Sequence, residues 1–162
     1  MMKLVECVPH FSEGRDKNVV NQIAEAIKIN DHVKILDVEM DPDHNRSVIT
    51  FVSPVEYAVD AAFSGIKKAA ELINMEKHRG AHPRFGAADV VPFVPLFDTT
   101  IEECVKLAWQ LGERVGKELG IPVYLYEKAA KVEWRKNLAD IRNESFQYEQ
   151  LKEHIKEEMW KP

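Results

Sequence analysis

The sequence has only two cysteines, Cys7 and Cys104, among its 162 residues. Each lies inside an apolar run, so two buried free thiols are expected and a disulfide-stapled scaffold is excluded. Long hydrophobic runs are missing too: no stretch approaches the ~20 apolar residues that a membrane-spanning helix needs. The start, Met1-Met2-Lys3-Leu4-Val5-Glu6, sets an acid inside the first apolar stretch, which does not match a signal peptide. The expected compartment is therefore the cytosol. Positive charge is in no surplus, with 22 Lys+Arg against 27 Asp+Glu and a net charge of −5. That balance argues against a nucleic acid or an acidic membrane surface as partner. The seven glycines form neither a dinucleotide fingerprint nor a Walker-type phosphate loop. With no internal repeat, low-complexity segment or interior linker, the expectation is one unit over residues 1–162.

The chain does hold enough apolar material, 45% of its residues, for the core of one domain. Leu4 to Phe11 reads as a buried strand. Asp16 is placed to cap a helix whose apolar positions are Val20, Ile23, Ala24 and Ile27. Val33–Val38 and Ser47–Val52 read as two more strands, and the short, acidic Glu39–Asn45 connection predicts an antiparallel hairpin. Ser53-Pro54-Val55-Glu56 predicts a capping box opening a helix that runs to about Asn74. Val90–Leu96 is an apolar strand whose Pro92 and Pro95 predict an edge position or an irregular course. Thr100 and Glu103 form a second capping box, and Gly120 is placed to end the helix that follows. Val123–Tyr126 reads as a last strand, before a polar tail with a helical stretch around Gln150–Met159. This order predicts an α+β fold. Its core is a ferredoxin-like βαββαβ mixed sheet with helices on one face, extended by an additional α-β and the helical tail.

The segment from Lys77 to Asp89 concentrates the chemistry. It carries His78 and His82, the cations Lys77, Arg79 and Arg84, and two glycines between a helix and an apolar strand. Pro83 restricts the backbone of His82 to extended conformations. An imidazole titrating near pH 6.5 can take a proton at neutral pH, and the cations suit carboxylates. Composition alone favours a solvated basic connection. A second cluster, Asp37, Glu39, Asp41, Asp43 and His44, is acidic, and on a strand Asp37, Glu39 and Asp41 share one face. Its spacing matches no metal motif, and a calcium loop would need a glycine and a distal acid that are missing. A metal-dependent hydrolase built on Asp37, Glu39, Asp41, His44 and His82 remains an alternative beside a solvated hairpin end. No Ser/His/Asp or Cys/His ordering supports covalent catalysis.

Four segments carry a resemblance. They are Val5-Glu6-Cys7-Val8-Pro9-His10-Phe11-Ser12-Glu13-Gly14-Arg15, Asp43-His44-Asn45-Arg46-Ser47-Val48, Gly80-Ala81-His82-Pro83-Arg84-Phe85-Gly86-Ala87-Ala88-Asp89-Val90 and Asn137-Leu138-Ala139-Asp140-Ile141-Arg142. In this order they closely resemble the N-terminal subdomain of the glutamate formiminotransferase family's transferase domain. The resemblance implies transfer of a formimino group from N-formimino-glutamate to tetrahydrofolate, in histidine degradation. Tetrahydrofolate would be a co-substrate, and no metal or redox cofactor is implied. His82 would be the general base. Glu39 stands where the family commonly has Asp and would assist the histidine. His10 stands where the family usually has Asn. His10, Arg46, Lys77, Arg79 and Arg84 would bind the polycarboxylate substrates. In the family a second, similarly built subdomain follows, with folate between the two, so a C-terminal subdomain, a separate lobe or a homo-oligomer is the expected partner. Formyl transfer by the same lobe and a non-catalytic folate-binding or assembly module are the alternatives.

Overall fold

The computed structural model describes residues 2–162. Six strands form one sheet: β1 (Leu4–Cys7), β2 (His10–Phe11), β3 (Lys34–Asp41), β4 (Arg46–Pro54), β5 (Ala88–Val90) and β6 (Phe93–Pro95). β4 is central. It pairs with β3 on one side and with β1 and β2 on the other, and these in turn pair with β6 and β5. β1 and β2 are one row interrupted at Val8-Pro9, and β5 and β6 are one row interrupted at Val91-Pro92. Proline has no N–H for the ladder, which accounts for both interruptions and for the edge position of the β5–β6 row.

The expected mixed sheet is antiparallel in every pairing among the described residues. The cause is topological. Helix α1 (Lys17–Ile27) carries the chain from the β1–β2 row to β3, and β4 then enters between them. Helix α2 (Val55–Leu72) likewise takes it from β4 to the β5–β6 row, across β1–β2. Each crossover skips a row, so the strands that run parallel are never neighbours.

Period-two alternation on β4 separates two faces. Ile49 and Phe51 are fully buried and join Phe11, Val20, Ile23, Ile27, Ile66 and Ala69 in the main core under α1 and α2. Arg46, Val48, Thr50 and Val52 lie on the other face, with His10 and Glu39 in the same cross-strand rank as Val48. None of these six belongs to the core clusters.

Asp16 caps α1 as expected, accepting from the backbone of Asn18 and Val19. Ser53 does not cap α2. β4 continues to Pro54, which pairs with Leu4, and the Ser53 hydroxyl donates to the Pro54 carbonyl at 3.0 Å. The Val55 N–H is met by the Lys3 carbonyl at 3.1 Å, so the adjoining strand supplies what a side-chain cap would. Thr100 and Glu103 form the expected capping box on α3 (Ile101–Arg114). That helix ends in a wide π-helical turn, Val115–Leu119, closed by Gly120 at φ +64°.

Val123–Tyr126 is extended but joins no strand among the described residues. A Cβ on Gly112 would lie 3.2 Å from Val123 Cγ1, so the segment is pressed onto α3. A cavity of about 590 Å3, lined by Val91 and Phe93 on one side and Val123 and Leu125 on the other, keeps it from the β5–β6 edge. The tail holds two short helices, α4 (Leu138–Ile141) and α5 (Tyr148–His154), and a final turn at Glu158–Trp160. Trp160 stacks on Phe146 at 4.5 Å and meets Phe85, Tyr124 and Trp134 edge-on, so the tail packs against the residue two after Pro83.

Gly80 sits where no side chain fits: a Cβ there would lie 2.2 Å from the His44 carbonyl oxygen. Gly80→Ala must therefore part the loop from the β3–β4 hairpin. A loss of about 2 kcal/mol in unfolding free energy is expected, measured by urea denaturation.

Candidate functional site

The tip of the β3–β4 hairpin is built by one aspartate and one asparagine. Asp41 Oδ1 accepts from the backbone N–H groups of Asp43 and His44, both at 3.0 Å, which forms the turn. Asn45, buried at φ +50°, accepts from Gly14 N at 2.9 Å and donates to the Arg79 carbonyl at 3.0 Å. Ala81 N donates to the Asp43 carbonyl at 3.2 Å. The hairpin tip thereby holds the backbone of the 77–89 segment on one side.

His78 and Arg84 hold it on the other. Arg84 Nε donates to His78 Nδ1 at 2.9 Å, which leaves His78 Nε2 to donate to the Asn45 carbonyl at 2.9 Å. Burial lowers the His78 pKa, with Arg84 acting in the same direction against the hydrogen bond to Asn45. The rest of the Arg84 guanidinium reaches the tail: Glu149 at 2.8 Å through both carboxylate oxygens, and Gln147 Oε1 at 2.8 Å. It holds the Glu149 carboxyl down at about 2.

His82 is half-buried between these supports. Its Nδ1 lies 2.6 Å from the Pro83 carbonyl oxygen. A carbonyl only accepts, so Nδ1 carries the proton and Nε2 keeps a free lone pair. Burial lowers the His82 pKa, with Arg46 and Arg142 reinforcing the shift and the Pro83 hydrogen bond opposing it. The His44 ring stands edge-on to the His82 ring, with centroids 5.9 Å apart at 81°.

Beneath lies a charge cluster centred on Asp89, whose side chain has 0% exposure. Arg46 Nη1 and Arg142 Nη2 each donate to Asp89 Oδ2 at 2.8 Å, and Phe85 N donates to Oδ1 at 2.6 Å. Arg46 Nη2 lies 2.7 Å from His10 Nδ1. Burial and the Arg46 charge together push the His10 pKa down to about 4. His10 is thus a neutral acceptor, tied to Arg46 rather than exposed as a free ligand group.

The structure therefore brings His82, His10 and Arg46 into one neighbourhood. Lys77 and Arg79 are exposed on the same loop, and Arg79 bonds only backbone carbonyls, that of His78 at 2.7 Å among them. Arg84 does not join them as expected. It is buried, and its donors are taken by His78, Gln147 and Glu149, because an acid far along the tail captures it. Glu39 is exposed and has no side-chain hydrogen bond among the described residues. The carboxylate that meets an imidazole is Asp41, and the imidazole is His44: Asp41 Oδ2 to His44 Nδ1 is 2.5 Å. Asp37, Glu39, Asp41, His44 and His82 are not gathered as ligands, since no group of three or more such side chains able to hold a metal occurs among the described residues. The large apolar cavity behind the edge strand meets the site through Asp89, Arg142 and the Phe85–Ala88 part of the loop; His82 and His10 are not among its lining residues. Asp89, Arg142 and Asn45 were given no role from sequence. Arg142 lies 53 positions from Asp89, and no local pattern signals that pairing.

Among the described residues no helix is long and apolar enough to cross a membrane. Residues 4–162 match the family model described as the formiminotransferase domain, N-terminal subdomain. The chain is 70% identical over 161 residues to the glutamate formimidoyltransferase of Thermoplasma acidophilum, covering 99% of this chain and 53% of that protein. It is 46% identical to the glutamate formimidoyltransferase of Streptococcus pyogenes serotype M1, covering 100% of this chain and 54% of that protein. With the formimidoyltransferase-cyclodeaminase of Dictyostelium discoideum it shares 47% identity over its whole length, which is 30% of that protein. The chain thus spans about half the length, or less, of the curated relatives it matches. On a match that runs from β1 through the charge cluster to the last tryptophan, this chain belongs to the formiminotransferase family, as its N-terminal subdomain.

Proposed function

We propose that this chain is the catalytic lobe of a glutamate formimidoyltransferase, moving the formimino group of N-formimino-L-glutamate to tetrahydrofolate in the cytosol. The observation that carries the reading is His82, with Nδ1 tied to the Pro83 carbonyl and Nε2 free. The similarity to proteins named glutamate formimidoyltransferase supports the substrate pair.

N5 of tetrahydrofolate attacks the formimino carbon, and His82 Nε2 takes the N5 proton as the new C–N bond forms. The tetrahedral adduct then collapses, releasing glutamate. A base must be unprotonated at working pH, and the burial that lowers the His82 pKa keeps it so. Arg46 and Arg142 contribute positive potential from below, and Arg46 also binds His10. Lys77 and Arg79, exposed on the loop, are the cations that meet substrate carboxylates. Arg84 positions the loop, and Glu39 presents a carboxylate on the His10 rank of the sheet face. Folate is a co-substrate rather than a resident group. The sheet, with rows ordered β3, β4, β1–β2, β5–β6, supports a ferredoxin-like fold, and a second lobe completes the cleft.

In the full-length polypeptide carrying this domain, His82→Ala should lower kcat about 10²- to 10⁴-fold. A kcat within threefold of wild type overturns the base assignment. For the wild type, kcat/KM should rise with pH as His82 loses its proton, with a midpoint below 6.5 because the pKa is lowered. Replacing both Lys77 and Arg79 by Ala should raise KM for N-formimino-L-glutamate about 10-fold or more, leaving kcat within about threefold, as expected for losing charge-assisted hydrogen bonds.

A further inference from the structure

Expulsion of glutamate needs a second proton transfer, and the structure holds a second imidazole for it. Resting on the reading above, we propose that His44, held by Asp41, donates the proton that the departing glutamate nitrogen requires, while His82 serves the attacking nitrogen.

The geometry separates the two tasks. Both rings have Nδ1 engaged, His82 on the Pro83 carbonyl at 2.6 Å and His44 on the Asp41 carboxylate at 2.5 Å. Each therefore has Nε2 left for substrate. The rings stand 5.9 Å apart and edge-on, a spacing that lets two groups address the attacking and the departing nitrogen on one tetrahedral carbon. The surroundings differ in sign. At His82 burial disfavours a lasting imidazolium, with Arg46 and Arg142 acting in the same direction against the Pro83 hydrogen bond and Asp89. His44 faces the carboxylate of Asp41, whose pKa is lowered chiefly by the hydrogen bonds from His44. Asp43 lies beside it on the hairpin, Arg15 donates to the Pro42 carbonyl at the tip, and His82 is its neighbour on the loop.

The spacing is also enforced. Gly80 lies against the His44 carbonyl without room for a side chain, and Ala81 N donates to the Asp43 carbonyl at 3.2 Å. The hairpin tip cannot drift from the loop without breaking both contacts. A merely structural tip would need Asp41 for its turn hydrogen bonds but would not need an imidazole at position 44.

The step balances. N5 forms a bond to the formimino carbon, the C=N π pair moves onto the imino nitrogen until it re-forms that double bond on collapse, and the N5 proton passes to His82 Nε2. The bond from that carbon to the glutamate nitrogen breaks, its electron pair stays on that nitrogen, and the His44 Nε2 proton neutralises it. His82 then holds one proton more and His44 one fewer. Exchange with solvent at these part-exposed rings restores both.

The test uses the full-length polypeptide with N-formimino-L-glutamate and tetrahydrofolate, comparing wild type, His82→Ala, His44→Ala and His44→Gln. His44→Ala should lower kcat about 10²- to 10³-fold with KM changed less than about threefold, as for loss of a general acid. Added imidazole should restore at least a tenth of the lost rate in that variant. His44→Gln keeps an N–H toward Asp41 but no acid, so it should be as slow as His44→Ala; it supplies the reading where the alanine variant unfolds. The proposal is overturned by kcat within threefold of wild type, or by a slower enzyme whose rate does not respond to imidazole. A wild type that transfers no formimino group overturns the underlying function instead. A His82 variant that is inactive beside a fully active His44 variant overturns only the role of His44.

Discussion

The structure depends on one buried carboxylate. Asp89 has a fully covered side chain and receives Arg46 from β4, Arg142 from the end of α4 and the backbone N–H of Phe85. Removing a charge from water costs several kcal/mol, and only a full set of donors offsets it. Asp89 therefore cannot be satisfied unless the sheet, the loop and the tail are all in place. Losing either arginine would leave that charge underpaired, at a cost of about 3–5 kcal/mol. The tail, whose composition is polar, is fixed to the body by this pair, by Arg84 with Glu149, and by Trp160 in its aromatic cluster.

The same cluster sets the electrostatics of the histidines. Two guanidiniums face one carboxylate, so positive potential is left over toward His10 and His82. Neutral imidazole is the form that environment favours. For His10 the sign is plain. Its folded pKa of about 4 lies below the ordinary 6.5, so its contribution to stability is complete above pH 6.5 and is lost as the pH falls toward 4. The charge cluster and the protonation state of His82 are thus one problem, solved by the same residues.

Local signals were legible where local physics decides. The Asp16 cap, the Thr100–Glu103 box, the Gly120 stop and the short β3–β4 hairpin all follow from hydrogen bonds within a few residues. Reading failed where a distant strand or acid supplied the partner. Ser53 looked like a cap, but the Lys3 carbonyl meets the helix start. Val123–Tyr126 has a strand's composition, yet it lies on α3 across a cavity from the proline-interrupted edge. Arg84 looked like a substrate cation and is captured by Glu149, 65 positions later. The position of His82 was legible because Pro83 fixes its backbone and its motif carries the resemblance. The neighbours that give His82 its properties, Asp89 with Arg142 and Asp41 with His44, were not. Nothing in a run of acids and arginines says which pairs will meet.

Rigidity at the loop has a consequence for how substrate energy is used. The 77–89 segment is held by the hairpin through Asn45 and Asp43, by the tail through Arg84, and by the core of the tail through Phe85. The His82 ring is ordered already, because the Pro83 carbonyl selects its tautomer. Under the proposed function, contacts with Lys77 and Arg79 would act on the position of the substrate rather than on the loop. A site arranged in this way separates its two kinds of cation. The buried ones maintain the shape and the potential, and the exposed ones are those that would meet substrate under the proposed function. A change of donor or acceptor substrate would then call for altering the exposed pair, while the buried arginines, which carry the fold as well as the field, would have to stay.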